Sequence, residues 1–142
     1  MLQKMHPNAT EPDGEPIQIL DRITSDGPLV EAPALIRSPG GVYFLFFSSG
    51  CTRSPTYDVK YATSLNITGP YKRSGHPLLA TGDFGLHAPG SVAVYKDDKG
   101  SFRMAFAARV FMASGGIRAM FTAGMEFDGR VVRLVSDNAT ST

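Results

Sequence analysis

The stretch EAPALIRSPGGVYFLFFSS at residues 31–49 opens a pattern that the chain repeats as HAPGSVAVYKDDKGSFRMAFAAR at residues 87–109. Each copy begins with a polar residue, an Ala and a Pro, passes through an apolar run and a polar turn, and then reaches a second apolar run with aromatic residues. Glu31 and His87, which open the two copies, are 56 residues apart. A period of this size is typical of propeller blades, each of which is a four-stranded antiparallel sheet.

Further strand patterns complete each copy. The first continues with YDVKYATS at residues 57–64 and the second with GIRAMFTAG at residues 116–124, and each ends on a more polar strand. Fifteen glycines and ten prolines separate short runs rich in β-branched and aromatic residues, and no stripe of helical period is present. We therefore predict an all-β chain with strands at Ile17–Ile23, Val30–Ile36, Val42–Ser48, Tyr57–Thr63, Tyr71–Ser74, Gly90–Tyr95, Phe102–Ala107, Ile117–Ala123 and Val131–Val135.

The repeat also predicts how the chain is organised. We expect an N-terminal tail at 1–16, a first blade with a preceding outer strand at 17–84, a second blade at 85–135 and a C-terminal tail at 136–142. The fold class is a partial β-propeller of two four-stranded antiparallel blades plus an outer strand. Because blades bury their faces only against neighbouring blades, we expect completion by homo-oligomerisation or by a complementing chain. A small free-standing β-sandwich is the alternative.

Composition narrows the choice of partners. The 142 residues carry a net charge of +1 with 19% charged residues, and Lys and Arg are scattered along the chain, which argues against a nucleic-acid partner. The longest apolar run, Val42–Phe47, is far shorter than the roughly 18 residues that a membrane-spanning helix needs, so we expect no membrane partner. A neutral small molecule or polymer suits this balance.

The asparagines indicate a secretory ancestry. All three of them, Asn8, Asn66 and Asn138, stand in Asn-x-Thr, the acceptor pattern for N-glycosylation. The first twelve residues lack the apolar core of a signal peptide, so we expect no signal in this chain and interpret it as part of a longer secreted protein. The single cysteine, Cys51, permits no internal disulfide, and we assign it no catalytic role.

Glu31 and His87 occupy equivalent positions at the starts of the two predicted inner strands. Inner strands of a propeller line its central channel, so the two residues are expected to converge there. From the residues alone, a Glu before an Ala-Pro step is more often a rim residue that faces water. A channel-facing carboxyl group is the sharper alternative, because it could take part in acid–base chemistry.

The order of motifs resembles glycoside hydrolase family 43. Residues Val30–Ile36, then GGVYFLFFSSGC at 40–51, then SPTYDVKYATSLNITGPY at 54–71, follow the family's series E-[AG]-P, YYLFYSGG and Y-x-V-x-x-A-x-S-x-x-x-GPY. The stretch at 78–110 and GIRAMFTAGMEFDG at 116–129 are similar to the family's last blade, including its Arg-x-Met strand. The resemblance covers residues 17–135 and implies the last two of five blades.

The resemblance implies an activity and a general acid. Family members of the arabinanase, arabinofuranosidase and xylosidase type hydrolyse arabinofuranosyl or xylosyl linkages of plant polysaccharides with inversion, using an acid, a base and a third carboxylate that tunes the acid. Glu31 matches the position of the general acid. Inversion needs two carboxyl groups about 6.5–9.5 Å apart with a water molecule between them.

The same resemblance implies substrate contacts at His87 and Arg109. Family members often carry a His at the start of the last inner strand, near the substrate or a central ion, although here Ala88-Pro89-Gly90 precedes Ser91. Arg109 keeps the Arg of the family's Tyr-His-x-Arg pattern. No cofactor is required, and the residues alone predict no metal cluster; the resemblance adds calcium as the central ion.

The chain departs from the family in its carboxylates. The family's base and tuning Asp lie on blades that precede the acid, and none of seven aspartates in predicted turns or outer strands matches the base: Asp26, Asp58, Asp83, Asp97, Asp98, Asp128 and Asp137. Three hypotheses follow: an enzyme completed by another chain, with Glu31 as acid; a catalytically inactive fragment that binds sugars; and a structural oligomer without a sugar ligand.

Overall fold

The chain forms two β-sheets of four strands each. The computed structural model describes residues 1–110 and 116–136. Two short 3-10 helices lie at Thr24–Asp26 and Asp83–Gly85. The strands are β1 Val30–Arg37, β2 Tyr43–Ser49, β3 Asp58–Ser64, β4 Lys72–Arg73, β5 His87–Lys96, β6 Phe102–Arg109, β7 Arg118–Asp128 and β8 Val131–Val135.

Each sheet is an antiparallel meander. The first sheet has the order β1-β2-β3-β4 and the second β5-β6-β7-β8, so each copy of the sequence repeat builds one sheet. The prediction of two four-stranded antiparallel blades is confirmed. No helix within residues 1–110 and 116–136 is long and apolar enough to span a membrane.

The core lies between the two sheets, because alternate residues of each strand point to the same face. Phe44 and Phe46 of β2 are fully buried, and the ring of Phe127 from the second sheet meets Phe44 edge-on at 5.0 Å. Buried residues of both sheets form this cluster: Val42, Phe44, Phe46, Val59, Leu79, Leu86, Val92, Met104, Phe106, Ala108, Met125 and Val132.

The opposite face of the first sheet is covered by the N-terminal part of the chain. Leu45 and Phe47 of β2 point to this face and are also buried. They line a small cleft together with Ile19 and Leu20. Residues 17–26 therefore lie over the face that a preceding blade would cover in a complete propeller.

The predicted strand Ile17–Ile23 is not formed. Ile17 makes only an isolated bridge with Leu2, and the rest of the segment is held by side chains. Asp26 accepts a hydrogen bond from the Ile23 N–H at 2.9 Å, and Arg73 donates to the Asp21 carbonyl. The apolar pattern here reflects packing on the first sheet, whereas a strand needs a neighbouring backbone to pair with.

The other predicted strands are present, with shifted bounds. β5 begins at His87, ahead of the predicted Gly90, because ladder pairing continues across two bulges. β7 runs on to Asp128, and β4 is only two residues long. Asp137, Asn138 and the rest of the predicted C-terminal tail beyond residue 136 lie outside the described residues.

Candidate active site

The first strands of the two sheets, β1 and β5, share an unusual left-handed backbone conformation near their starts. Ala32 and Ala88, the second residues of the repeated tripeptides, have φ angles of 50° and 49°. Each Ala is followed by a Pro and by a bulge in the ladder. A left-handed conformation is costly for a residue with a side chain and persists where the surroundings enforce it. The structural equivalence of Glu31 and His87 that the repeat predicts is therefore present.

Glu31 lies at the exposed start of β1, in contact with a buried phenol. The Tyr57 hydroxyl donates a hydrogen bond of 2.7 Å to Glu31 Oε1, and Tyr57 is fully buried. In the ladder, Glu31 stands opposite Ser48 of β2. One carboxylate oxygen is thus held in place, and the exposed position leaves the carboxyl group accessible to solvent.

Tyr57 connects the two sheets at this point. It precedes β3 of the first sheet, and its hydroxyl lies 3.2 Å from the Ser91 Oγ of β5. Burial raises the pKa of the Tyr57 hydroxyl; the bonds from Ser91 and Ser48 oppose that rise, and the Glu31 carboxylate adds to it. The phenol therefore stays protonated across the neutral range and acts as a hydrogen-bond donor.

Arg118, at the start of β7, packs against the same tyrosine. Its guanidinium carbon is 5.4 Å from the centre of the Tyr57 ring, and its Nη1 donates to the Ala88 carbonyl at 2.9 Å. Its Nη2 is buried with no hydrogen-bond partner among the described residues. A buried donor without an acceptor costs about 1–3 kcal/mol.

His87, Arg109 and Arg118 lie side by side on three neighbouring strands. Arg109 is the ladder partner of both His87 and Arg118, and directly paired residues point to the same face of a sheet. The Arg109 guanidinium donates to the Thr52 carbonyl in the β2–β3 loop of the first sheet. Burial lowers the pKa of Arg118, the Arg109 charge adds to this, and Tyr57 and Glu31 oppose it.

The structure therefore brings some of the predicted residues together. Glu31 is linked through Tyr57 to Arg118, and Arg109 and His87 continue the row beside Arg118. Tyr57 and Arg118 were not among the residues predicted from sequence. The Arg-x-Met strand was a usable signal for Arg118. Tyr57 opens the family-like Y-x-V-x-x-A-x-S series, which was a usable signal for the residue, but its contacts to Glu31 and Ser91 join residues 26 and 34 positions away and are not written in that series.

A second carboxylate for hydrolysis is not found beside Glu31 within residues 1–110 and 116–136. Asp26 is buried and held by ion pairs with Lys60 and Arg73. Asp58 accepts a hydrogen bond from Ser49 at 2.6 Å. Glu31 lines a cleft of about 140 Å³, below the roughly 300 Å³ at which ligand pockets usually begin. A larger groove of about 800 Å³ lies elsewhere, between β4 and β8.

The family model for glycosyl hydrolases family 43 matches residues 1–134. The chain belongs to this family. No curated protein sequence matches it.

Solved structures of family 43 enzymes share the fold. A thermostable family-43 glycoside hydrolase is 25% identical with a TM-score of 0.80, over 93% of this chain and 45% of that protein. An endo-1,4-beta-xylanase from Bacteroides thetaiotaomicron is also 25% identical with a TM-score of 0.79, over 94% of this chain and 48% of that protein. An alpha-L-arabinanase from Cellvibrio cellulosa complexed with arabinohexaose is 23% identical with a TM-score of 0.70, over 92% and 47%. The chain thus spans less than half the length of these enzymes.

The calcium ion that the family resemblance implies finds no ligand set here. Among the described residues, no three His, Cys, Asp or Glu side chains lie close enough to share a metal ion. His87 is accompanied in its row by two arginines, whose positive charges disfavour a cation.

Proposed function

We propose that this family 43 chain carries the general acid, Glu31, of an inverting glycoside hydrolase that acts on arabinofuranosyl or xylosyl linkages of plant polysaccharides. The observation that supports this most is the placement of Glu31. It combines an exposed carboxyl group, an oxygen fixed by Tyr57 and a position at the start of an inner strand.

The proposed role is proton donation to the glycosidic oxygen. Bond cleavage leaves electrons on that oxygen, and a carboxylic acid within hydrogen-bond distance supplies the proton as the bond breaks. The fixed oxygen of Glu31 leaves the second carboxyl oxygen for the substrate. Arg118, Arg109 and His87 form a row on neighbouring strands beside this site, and in this proposal the row contacts the sugar.

In this proposal the base comes from residues outside this copy of the described chain. Inversion needs a carboxylate opposite Glu31 to activate water, and the chain covers under half of its structural relatives. We propose that a second copy of the chain or a complementing chain supplies this group and the missing blades. A polysaccharide is then bound where the two parts meet.

The alternative is an inactive fragment that binds sugars. The lone carboxylate at the site favours it, since Arg118, Arg109 and His87 could hold a sugar without any base. Binding without turnover distinguishes the two proposals.

An assay against substrates with different leaving groups tests the proposal. The folded chain, at known solution mass, is assayed on arabinan, on aryl α-L-arabinofuranosides and on aryl β-D-xylosides. Glu31→Gln should lower kcat by about 10²–10⁴-fold on arabinan. The loss should be smaller on activated aryl glycosides, because their leaving groups need little protonation.

Glu126→Gln is the matched control, because Glu126 is an exposed carboxylate of β7. Equal losses in the two variants would contradict the role of Glu31. A folded wild type that binds arabino-oligosaccharides and hydrolyses none of the substrates would contradict completion of the site by a second copy and would support the alternative.

We also propose a secretory origin. Asn8 and Asn66 are exposed, so both sequons are accessible to a glycosyltransferase. Asn8 Oδ1 accepts a hydrogen bond from the Thr10 N–H. Asn138 lies outside the described residues. Expression in a eukaryotic secretory host, with and without Asn→Gln changes at residues 8 and 66, should show a mass increase that these changes remove.

A further inference from the structure

The ring of Tyr57 packs directly against the backbone of Gly90 in the neighbouring sheet, where any residue with a side chain would clash with it. A Cβ built on Gly90 of β5 would lie 2.0 Å from the Tyr57 Cε1 atom, far inside van der Waals contact. The backbone of Gly90 is not left-handed, so the requirement is for space. Tyr57 is thus a residue of the first sheet whose ring rests directly on the backbone of the second.

The hydroxyl group closes a circuit of hydrogen bonds around Glu31. It donates to Glu31 Oε1 at 2.7 Å and lies 3.2 Å from Ser91 Oγ. The Ser91 N–H in turn donates to Ser48 Oγ at 2.9 Å. Ser48 is the ladder partner of Glu31. A phenol has one proton to donate, so the carboxylate receives it and Ser91 can donate to the phenol oxygen.

Arg118 fixes the same ring from the second sheet. It stacks on the Tyr57 ring and is tied to the Ala88 carbonyl. The orientation of the Glu31 carboxyl group therefore depends on contacts that exist only when the second sheet is docked on the first. If the second sheet were not docked on the first, the Tyr57 ring would lose its contacts with Gly90, Ser91 and Arg118.

We infer that Tyr57 is a positioning residue for Glu31, and that its placement against Gly90 makes the orientation of the acid conditional on the correct docking of the two blades. The inference rests on the proposed role of Glu31 as general acid. Tyr57 itself does not contact the substrate in this scheme; it holds one carboxyl oxygen so that the other faces the glycosidic bond.

The first test measures the ionisation of Tyr57 and needs no activity. The ζ-carbon of tyrosine is followed by NMR through alkaline titration, and the signal is assigned with Tyr57→Phe. Because the Glu31 carboxylate raises the pKa of Tyr57, Glu31→Gln should lower that pKa, and Glu126→Gln should leave it unchanged. An unchanged Tyr57 titration in Glu31→Gln would overturn the inference.

The second test separates positioning from stability. Tyr57→Phe keeps the ring and removes the hydroxyl; its control, Tyr61→Phe, removes a hydroxyl from a tyrosine of β3 that packs on Phe44 and Phe46. We expect Tyr57→Phe to lower kcat roughly tenfold or more with KM little changed, since it removes the hydrogen bond that orients the Glu31 carboxyl group. Equal kcat in the two variants would overturn the inference.

The third test moves the ring without touching its hydroxyl. Gly90→Ala should lower kcat as Tyr57→Phe does, and Gly75→Ala, at a position with nothing within 4 Å, should not. If Gly90→Ala fails to fold, the two tests on Tyr57 still decide. A wild type without hydrolytic activity would contradict completion of the site by a second copy, and the titration of Tyr57 would then test its contact with Glu31 independently of activity.

Discussion

At the scale of single residues, Asp26 shows how a charge can be buried at the edge of this fold. The carboxylate is inaccessible to solvent, with Lys60 Nζ at 3.0 Å and Arg73 Nη2 at 2.9 Å. Burial by itself raises the pKa of Asp26, but the Ile23 N–H, Lys60 and Arg73 outweigh it and lower the pKa below its ordinary value of 3.8. The group is therefore ionised in the folded chain at neutral pH.

We predict that Asp26→Asn costs about 1.5–3 kcal/mol of unfolding free energy, because it removes the counter-charge from two partly buried cations, of which Lys60 keeps Asp58 at 3.6 Å. Since the folded pKa is lowered, the stabilisation is present above the unfolded value of 3.8 and is lost as pH falls through the folded pKa. Urea unfolding between pH 7 and pH 3 measures both effects. The wild type should lose more stability on acidification than Asp26→Asn.

Asp98→Asn, at an exposed turn position, is the control and should follow the wild type at every pH. If Asp26→Asn shows the same dependence on pH as the wild type, the carboxylate does not carry the stabilisation described above.

At the scale of elements, the N-terminal segment, residues 17–26, covers the face of the first sheet that a neighbouring blade would cover in a propeller. Ile19 and Leu20 meet Leu45 and Phe47, and the Arg73 guanidinium lies 4.8 Å from the centre of the Phe47 ring. The segment thus contributes apolar contacts and the ion pairs of Asp26 with Lys60 and Arg73. It does not add a strand to the sheet.

Two truncations test which residues of the N-terminal segment stabilise the first sheet. Removing residues 1–16 should cost less than about 1 kcal/mol of unfolding free energy, since most of this stretch is exposed. Removing residues 1–26 should cost at least about 3 kcal/mol, because it uncovers Leu45 and Phe47 and deletes Asp26. Urea unfolding compares the two, and binding of a hydrophobic dye should rise only in the longer truncation. Equal losses would mean that the cover lies within residues 1–16.

The same segment marks the limit of what the sequence could predict. The strands of both repeats were accessible, because alternation and Gly or Pro punctuation are local signals. Ile17–Ile23 carried a similar signal and is not a strand, since pairing depends on an available edge that composition does not reveal. At the site, the repeat predicted the equivalent positions of Glu31 and His87 near the starts of β1 and β5. The Tyr57 circuit and the Asp26 cluster join residues far apart in the chain, and no local pattern records them.

At the scale of the whole molecule, the second sheet has one face with no neighbour among the described residues. Phe106 points into the core, so its neighbour Ala107 and the ladder partner Met120 point the other way. Met120 is 77% exposed and Val131 is 46% exposed. A propeller blade stacks on blades at both sides, so this face is the one that a further blade would cover.

We expect this face to drive the proposed completion by a second copy. Met120→Lys places a charge at the centre of the contact and should shift the chain toward monomer in sedimentation velocity at micromolar to millimolar concentrations. Leu65→Lys, at a 63% exposed position in the turn after β3, introduces the same charge elsewhere and should not. If the wild type is monomeric throughout while folded, completion by a second copy is wrong. If it associates and Met120→Lys alone separates the copies, loss of hydrolysis in that variant would show that the base opposite Glu31 comes from the partner copy.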